Sequence, residues 1–233
     1  MRRRHRDEKL PVLAELGGSS SGDGRVWALG RSDLAALTGL LDRLAGGSTV
    51  LVTGGEQGVG AVAIGVAAAA TAAGRRAALV ECELARPRIA AALGLDAGPG
   101  LAEYLRGEAE AGQILQPLVP AGPQSRRAVG PLICVAGGQP APDQNELLGS
   151  EEFGHAVEKL AHGYDLLVLA GPWLDAGEGL SAVSAQADSA LVCVPPAGLK
   201  GRAGRSVRAA AAKLSAPVAG AVLIDGPAAD QRS

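Results

Sequence analysis

The segment Val50-Leu-Val-Thr-Gly-Gly-Glu-Gln-Gly-Val-Gly-Ala-Val62 decides how this chain folds. It opens with apolar and β-branched residues, as a strand buried on both faces does. Glycines then crowd a turn, and an Ala-rich run continues to Ala73 at helical length. Strand, Gly-rich turn and helix in that order make an anion-binding corner, because backbone N–H groups and a helix N-terminus converge there. Gly55 and Gly60 match the two glycines of the phosphate-loop template G-x-x-x-x-G-K-[ST]. Ala61 stands where the lysine belongs and Val62 where the Mg²⁺-binding hydroxyl belongs. A charge-assisted hydrogen bond is worth about 1.5–3 kcal/mol, so losing the lysine alone predicts about 10- to 100-fold weaker nucleotide binding. The chain's lysines, Lys9, Lys159, Lys200 and Lys213, all lie far away in sequence. Glu56 adds a carboxylate to the middle of the turn, which opposes phosphate.

Outward from this corner, short apolar runs alternate with Ala-rich helical stretches. The predicted strands are 49–53, 76–81, 132–136, 166–170, 190–194 and 218–224. Their continuous apolar character fits a parallel sheet covered by helices on both faces. The predicted helices are 61–73, 86–93, 101–106, 150–162 and 202–214. A further helix starts at an Ser32 N-cap, carries Leu34, Leu37, Leu40, Leu41 and Leu44 at helical spacing, and stops at Gly46 and Gly47. Pro117 to Pro131 contains four prolines with Arg126 and Arg127 and reads as a surface loop. The expected fold is α/β, a three-layer sandwich with a mostly parallel central sheet of six or seven strands. Residues 1–24 read as a basic, flexible arm (Arg2, Arg3, Arg4, His5, Arg6) with a Gly/Ser linker, 25–228 as one domain, and 229–233 as a tail.

Composition narrows the function. Hydrophobic residues make up 47% but aromatics only 2%, so recognition of bases by ring stacking is excluded and no nucleic acid is expected. The longest apolar run, 61–73, is about 13 residues, short of the about 20 a membrane helix needs. Cys82, Cys134 and Cys193 are odd in number and widely spaced, which argues for buried thiols rather than a disulfide framework or zinc site. His155 and His162 have no third ligand nearby in sequence, so no metal role is assigned to them. These features predict a cytoplasmic chain.

Further motifs follow the corner in order. They are Val80-Glu-Cys-Glu-Leu-Ala-Arg-Pro-Arg88, Leu93-Gly-Leu95, Pro99-Gly-Leu-Ala-Glu-Tyr-Leu-Arg-Gly107, Ala136-Gly-Gly-Gln-Pro-Ala-Pro142, Asn145-Glu-Leu-Leu-Gly-Ser150 and Tyr164-Asp-Leu-Leu-Val-Leu-Ala-Gly-Pro172. Across residues 26–227 this series resembles the cytoplasmic P-loop domain of bacterial tyrosine kinases, the autokinases of capsule and exopolysaccharide synthesis. They belong to a wider group with the partition and Min-type ATPases. The resemblance implies a P-loop NTPase-like fold. It also implies ATP or ADP with Mg²⁺ as ligands, held by Gly55, Gly58, Val59, Gly60, Ala61 and Val62, with Ile224 or Asp225 on the adenine side. It implies a membrane adaptor of polysaccharide export as partner, homo-oligomerisation, and a place at the inner membrane face through that partner.

The same resemblance exposes what is missing. In the family's I-D-x-D-L-R-x-P motif, Glu81 and Glu83 replace the aspartates and Ala85 the first arginine, leaving these two glutamates as the candidate metal-side carboxylates. Ala170 replaces the Walker B aspartate, and Asp165 survives only at the start of its strand. The E-x-x-R-x-x-R oligomer motif falls on Asp33, Ala36 and Gly39. The chain ends Ala228-Ala-Asp-Gln-Arg-Ser233 with no tyrosine cluster, and Tyr104 and Tyr164 are its only tyrosines. Phosphoryl transfer consists almost wholly of positioning and charge stabilisation by the missing groups. The expectation is a catalytically degenerate, pseudokinase-like domain with weakened nucleotide binding. Two alternatives stand beside it: an active ATP-dependent tyrosine kinase or ATPase using non-standard residues, and a Min- or partition-type positioning protein that uses Arg202, Arg205 and Arg208.

Overall fold

The computed structural model describes residues 10–17, 19–20, 27–28, 31–44, 47–55, 58–118 and 130–224. Its elements in chain order begin with β1 (Val12–Leu16), the two-residue strands β2 (Ser19–Ser20) and β3 (Trp27–Ala28), α1 (Arg31–Leu41), β4 (Thr49–Gly54), α2 (Val59–Ala72) and β5 (Ala77–Glu81). Next come α3 (Ile89–Leu93), α4 (Leu101–Leu105), α5 (Ala111–Ile114), β6 (Leu115–Leu118), β7 (Leu132–Val135), α6 (Gln144–Leu148), α7 (Glu151–Gly163) and β8 (Leu166–Ala170). The chain continues through α8 (Glu178–Ala185), β9 (Ser189–Val194), α9 (Gly201–Ala211) and β10 (Val218–Ile224).

Eight strands form one sheet in the order β1-β10-β9-β4-β8-β5-β7-β6. All neighbours are parallel except β6, which pairs antiparallel with β7. The loop-bearing strand β4 lies between β9 and β8 and is buried along its whole length. One face packs on α1 and α2 through Leu37, Leu40, Val62, Val66 and Ala70, and the other on α4, α6, α7 and α8 through Leu101, Leu148, Phe153 and Val183. Helix α2 carries no charged residue, so its small side chains fit between the sheet and α1.

The expected strands all form, within a residue of their predicted ends. The sheet has eight strands rather than six or seven, and the two added strands lie at its edges. Residues 12–16, expected in the flexible arm, instead form β1. Ala14 and Leu16 turn into the core, and Ala221 N–H donates to Pro11 O at 2.8 Å. Gly220 permits this approach, because a Cβ there would overlap Pro11 O and Leu13. Pro117 and Leu118, expected in a loop, belong to β6; an edge strand tolerates a residue without N–H.

Helix α2 begins at Val59, two residues before the expected start, and α1 begins at Arg31 rather than after an Ser32 cap. Asp33 is buried and accepts the Gly17 N–H at 3.2 Å, tying α1 to the end of β1. Helix α3 begins at Ile89 rather than Arg86, and α8 was not foreseen. Gly46, Glu56, Asp225 and the basic arm itself lie outside the described residues. Cys82, Cys134 and Cys193 are free and buried, as expected. Among the described residues, no helix is long and apolar enough to cross a membrane.

Candidate functional site

The C-terminal ends of β4, β8, β5 and β9 meet where open α/β sheets bind ligands. Gly54 ends β4 against Cys193 of β9, so closely that a Cβ would overlap the Cys193 carbonyl. Gly55 N–H donates to that carbonyl at 3.3 Å. Gly58 adopts the left-handed conformation at φ 95°, and a Cβ on it would run into Ile224 Cδ1 at the end of β10. Both ends of the turn are therefore stitched to neighbouring strands, with Ile224 as an apolar floor.

Helix α2 then starts with Val59, Gly60 and Ala61, whose N–H groups have no intrahelical acceptor and carry the positive end of the helix dipole. This geometry suits an anion. The side chains around it do not extend the fit. Ala61 offers only a methyl, and Val62 is 1% exposed, with its side chain in the core and its N–H donating to Gly58 O at 2.9 Å.

Ala170 ends β8 beside Val52 on one side and Glu81 on the other. The segment after it is tied to the loop strand. Thr53 Oγ1 donates to Pro172 O at 2.7 Å, and Leu174 N–H donates to Gly54 O at 2.9 Å.

Glu81, expected as a metal-side carboxylate, is 2% exposed and fully engaged by the backbone. Its Oε1 accepts N–H bonds from Arg88 and from Ile89 (2.8 Å), and its Oε2 accepts from Gly137 (2.9 Å). It thus caps α3 from a distance and pins the loop after β7. Burial raises its pKa above the ordinary carboxylate value, against the opposing effect of those three N–H groups, and the charge on Glu83 adds to the rise. Glu83 is half-buried and accepts the Arg86 N–H at 3.3 Å; burial raises its pKa too, against backbone bonds that include Trp173 N–H. The Arg86 guanidinium stacks over the Trp173 ring at 4.0 Å, linking the ends of β5 and β8.

Mg²⁺ needs oxygen ligands in near-ideal octahedral array. Val62 and Ala170 supply none, and both Glu81 oxygens are committed to backbone N–H groups. Among the described residues, no group of three or more His, Cys, Asp or Glu is placed to hold a metal ion. The residues present fit a phosphate at the first turn of α2 and do not fit its metal. Asp165 sits at the opposite end of β8, where it pairs with Arg76 at 2.9 Å.

Sequence reasoning missed the bracing around this corner. Gln144 Oε1 accepts from Leu84 and Ala85 N–H at 3.2 and 3.1 Å. Glu103 accepts from Gly100 and Gln139 N–H at 2.8 and 2.9 Å, closing the Ala136–Gly137–Gly138 turn over α4. The motifs around residues 81, 99 and 136 were visible in the chain, but their joining through carboxylates was not. Arg106, at the end of α4, pairs with Asp143 before α6.

No protein-family model matches the chain, and no curated protein matches it. Solved structures do. The chimerical protein CapA2B2 superposes with a TM-score of 0.75 at 16% identity, over 94% of this chain and 95% of that one. The kinase domain of Escherichia coli tyrosine kinase ETK gives 0.71 at 18%, over 96% and 94%. The Pyrococcus furiosus cell division ATPase MinD gives 0.56 at 16%, over 76% and 71%. The chain therefore has the fold of bacterial tyrosine kinase domains and of the wider P-loop ATPases, as its sequence motifs led us to expect.

Proposed function

We propose that this chain is a catalytically degenerate P-loop domain that serves as a regulatory or scaffolding partner in capsule or exopolysaccharide assembly. The observation that carries the reading is the commitment of Glu81. This carboxylate, buried at the end of β5 beside Ala170, accepts three backbone N–H bonds instead of facing a metal. Ala170 beside it is consistent with this role. An aspartate there would place a second negative charge against the buried Glu81. Ala61 and Val62 complete a set in which lysine, hydroxyl and Walker B carboxylate are absent together. The N–H groups of Val59, Gly60 and Ala61 leave weak, metal-independent contact with a phosphate.

The test is calorimetric titration of the natural protein with ATP, with and without Mg²⁺, beside the variant Ala61→Lys, Val62→Thr, Ala170→Asp. We expect weak binding to the natural protein that Mg²⁺ does not tighten, and at least about 10-fold tighter binding when the charges are restored. ATP hydrolysis or tyrosine autophosphorylation by the natural protein would refute the reading.

A further inference from the structure

The segment Glu83-Leu-Ala-Arg-Pro-Arg88 joins β5 to α3 without entering a strand or a helix. Its backbone donors go instead to side-chain oxygens. Gln144 Oε1, on α6, accepts the Leu84 and Ala85 N–H groups. At the other end, Glu81 Oε1 accepts those of Arg88 and Ile89. Arg86 N–H donates to Glu83 within the segment, and Pro87 has no N–H to place. Two oxygen atoms, one from each of two side chains, therefore hold four backbone donors. In a strand each amide has its own acceptor, whereas here the loss of one oxygen frees two donors together.

The segment has shallow anchors otherwise. Leu84 is its one fully buried side chain; Arg86 and Arg88 are exposed, and Glu83, Ala85 and Pro87 are half-buried. Leu84 O accepts the Ala141 N–H at 2.8 Å, and the Arg86 guanidinium lies over Trp173. Segments with few buried apolar contacts and few ladder bonds open at a lower free energy than the core. The hinge is firm by comparison: Cys82 N–H donates to Ala170 O at 2.8 Å on β8.

The fit beneath the segment is close. A Cβ on Gly137 would come within 2.7 Å of Pro87 Cβ and 3.3 Å of Glu81 Oε2, so Pro87 closes on bare backbone. The far end reaches the phosphate-loop corner, where Ile89 Cγ1 lies 3.9 Å from the place a Cβ on Gly60 would take.

We propose that residues 83–89 are a strap that opens and closes as one unit at the border of the corner, with Gln144 and Glu81 as its two catches. The catches do not act separately, because the four donors lie on one short length of chain with a single hinge. Release at Gln144 leaves Glu81 holding a loose end, and release at Glu81 does the same to Gln144. A strap that opens below the cost of unfolding gives this border two states, which is what a regulatory element needs. The inference stands independently of whether the loop binds nucleotide.

The experiment is amide hydrogen exchange of the full chain, resolved residue by residue by NMR. In the natural protein the amides of Leu84, Ala85, Arg88 and Ile89 should share one protection factor, lower than that of the β4 and β8 amides. Gln144→Ala removes the acceptor of Leu84 and Ala85 alone, yet should lower the protection of Arg88 and Ile89 equally, on the order of 10-fold. Gly137→Ala removes no hydrogen bond of the strap and wedges Pro87 from below; it should lower all four together. In both variants the β4 and β8 amides should keep their natural protection, which separates strap opening from general destabilisation. Faster exchange confined to Leu84 and Ala85 in Gln144→Ala would overturn the proposal. So would four unequal protection factors in the natural protein, protection equal to that of β4 and β8, or exchange unchanged in both variants.

Discussion

Glu81, at the end of β5, accepts the Ile89 N–H at 2.8 Å, so a carboxylate at a metal-side position of the resembled kinases caps a helix instead. The same side chain reaches Arg88 and Gly137, joining α3 to the loop after β7. Removing it as Glu81→Ala leaves three backbone donors without an acceptor and should lower stability by about 2–4 kcal/mol. Glu81→Gln, which keeps one acceptor oxygen, should lose about half as much. Urea denaturation measures both, and added MgCl₂ should leave the melting temperature of the natural protein unchanged. A melting temperature that rises with Mg²⁺ and no longer does so in Glu81→Gln would restore the metal role.

Two carboxylates should respond to pH with opposite sign. Burial raises the pKa of Glu81 in the folded state, so its contribution is greatest below the unfolded pKa and declines as pH rises through the folded one. At Glu103 burial is outweighed by the Gln139 and Gly100 N–H groups, and the pKa falls. Its contribution is present above the unfolded pKa and is lost as pH drops through the folded one. From neutral toward about pH 4, the natural protein should gain stability relative to Glu81→Gln and lose it relative to Glu103→Gln. Chemical denaturation across that range checks both signs.

Gly58 and Ile224 should be strongly coupled. Gly58→Ala meets a positive φ of 95° and the Ile224 side chain, and should cost about 2–4 kcal/mol. Ile224→Ala alone should cost about 2–5 kcal/mol by opening a cavity. The double variant should lose less than the sum by about 0.5–3 kcal/mol, because the overlap disappears with the isoleucine. Simple additivity in a double-mutant cycle would show that the two residues do not press on one another.

The cysteines should be inert until the chain unfolds. Burial pushes Cys134 up to about 12, and Cys82 and Cys193 higher still. An aromatic disulfide reagent at neutral pH should find no reactive thiol in the native protein and all three after urea. Reaction of one thiol in the folded state would place it at an accessible site.

The sequence by itself determined the inner architecture and which side chains stand at the loop. The strands from β4 to β10 that lie inside the sheet are continuous apolar runs, and burial on both faces leaves no other reading of such runs. That Ala61, Val62 and Ala170 offer no charge or hydroxyl was legible because a side chain's functional atoms are fixed by its identity, whatever its surroundings. Only the tertiary structure decided what the remaining residues do. Edge strands β1 and β6 are held by one neighbour each, so Val12–Leu16 and Leu115–Leu118 carry too weak a pattern to read in isolation. Glu81 looked like a metal ligand from its place in a motif, yet its partners come from positions up to 56 residues away. Val12–Leu16 and Val218–Ile224 lie at opposite ends of the chain and meet only because β1 pairs with β10. Residue type is a local property of the chain, whereas burial, hydrogen-bond partners and the company of distant charges arise only when the chain closes on itself.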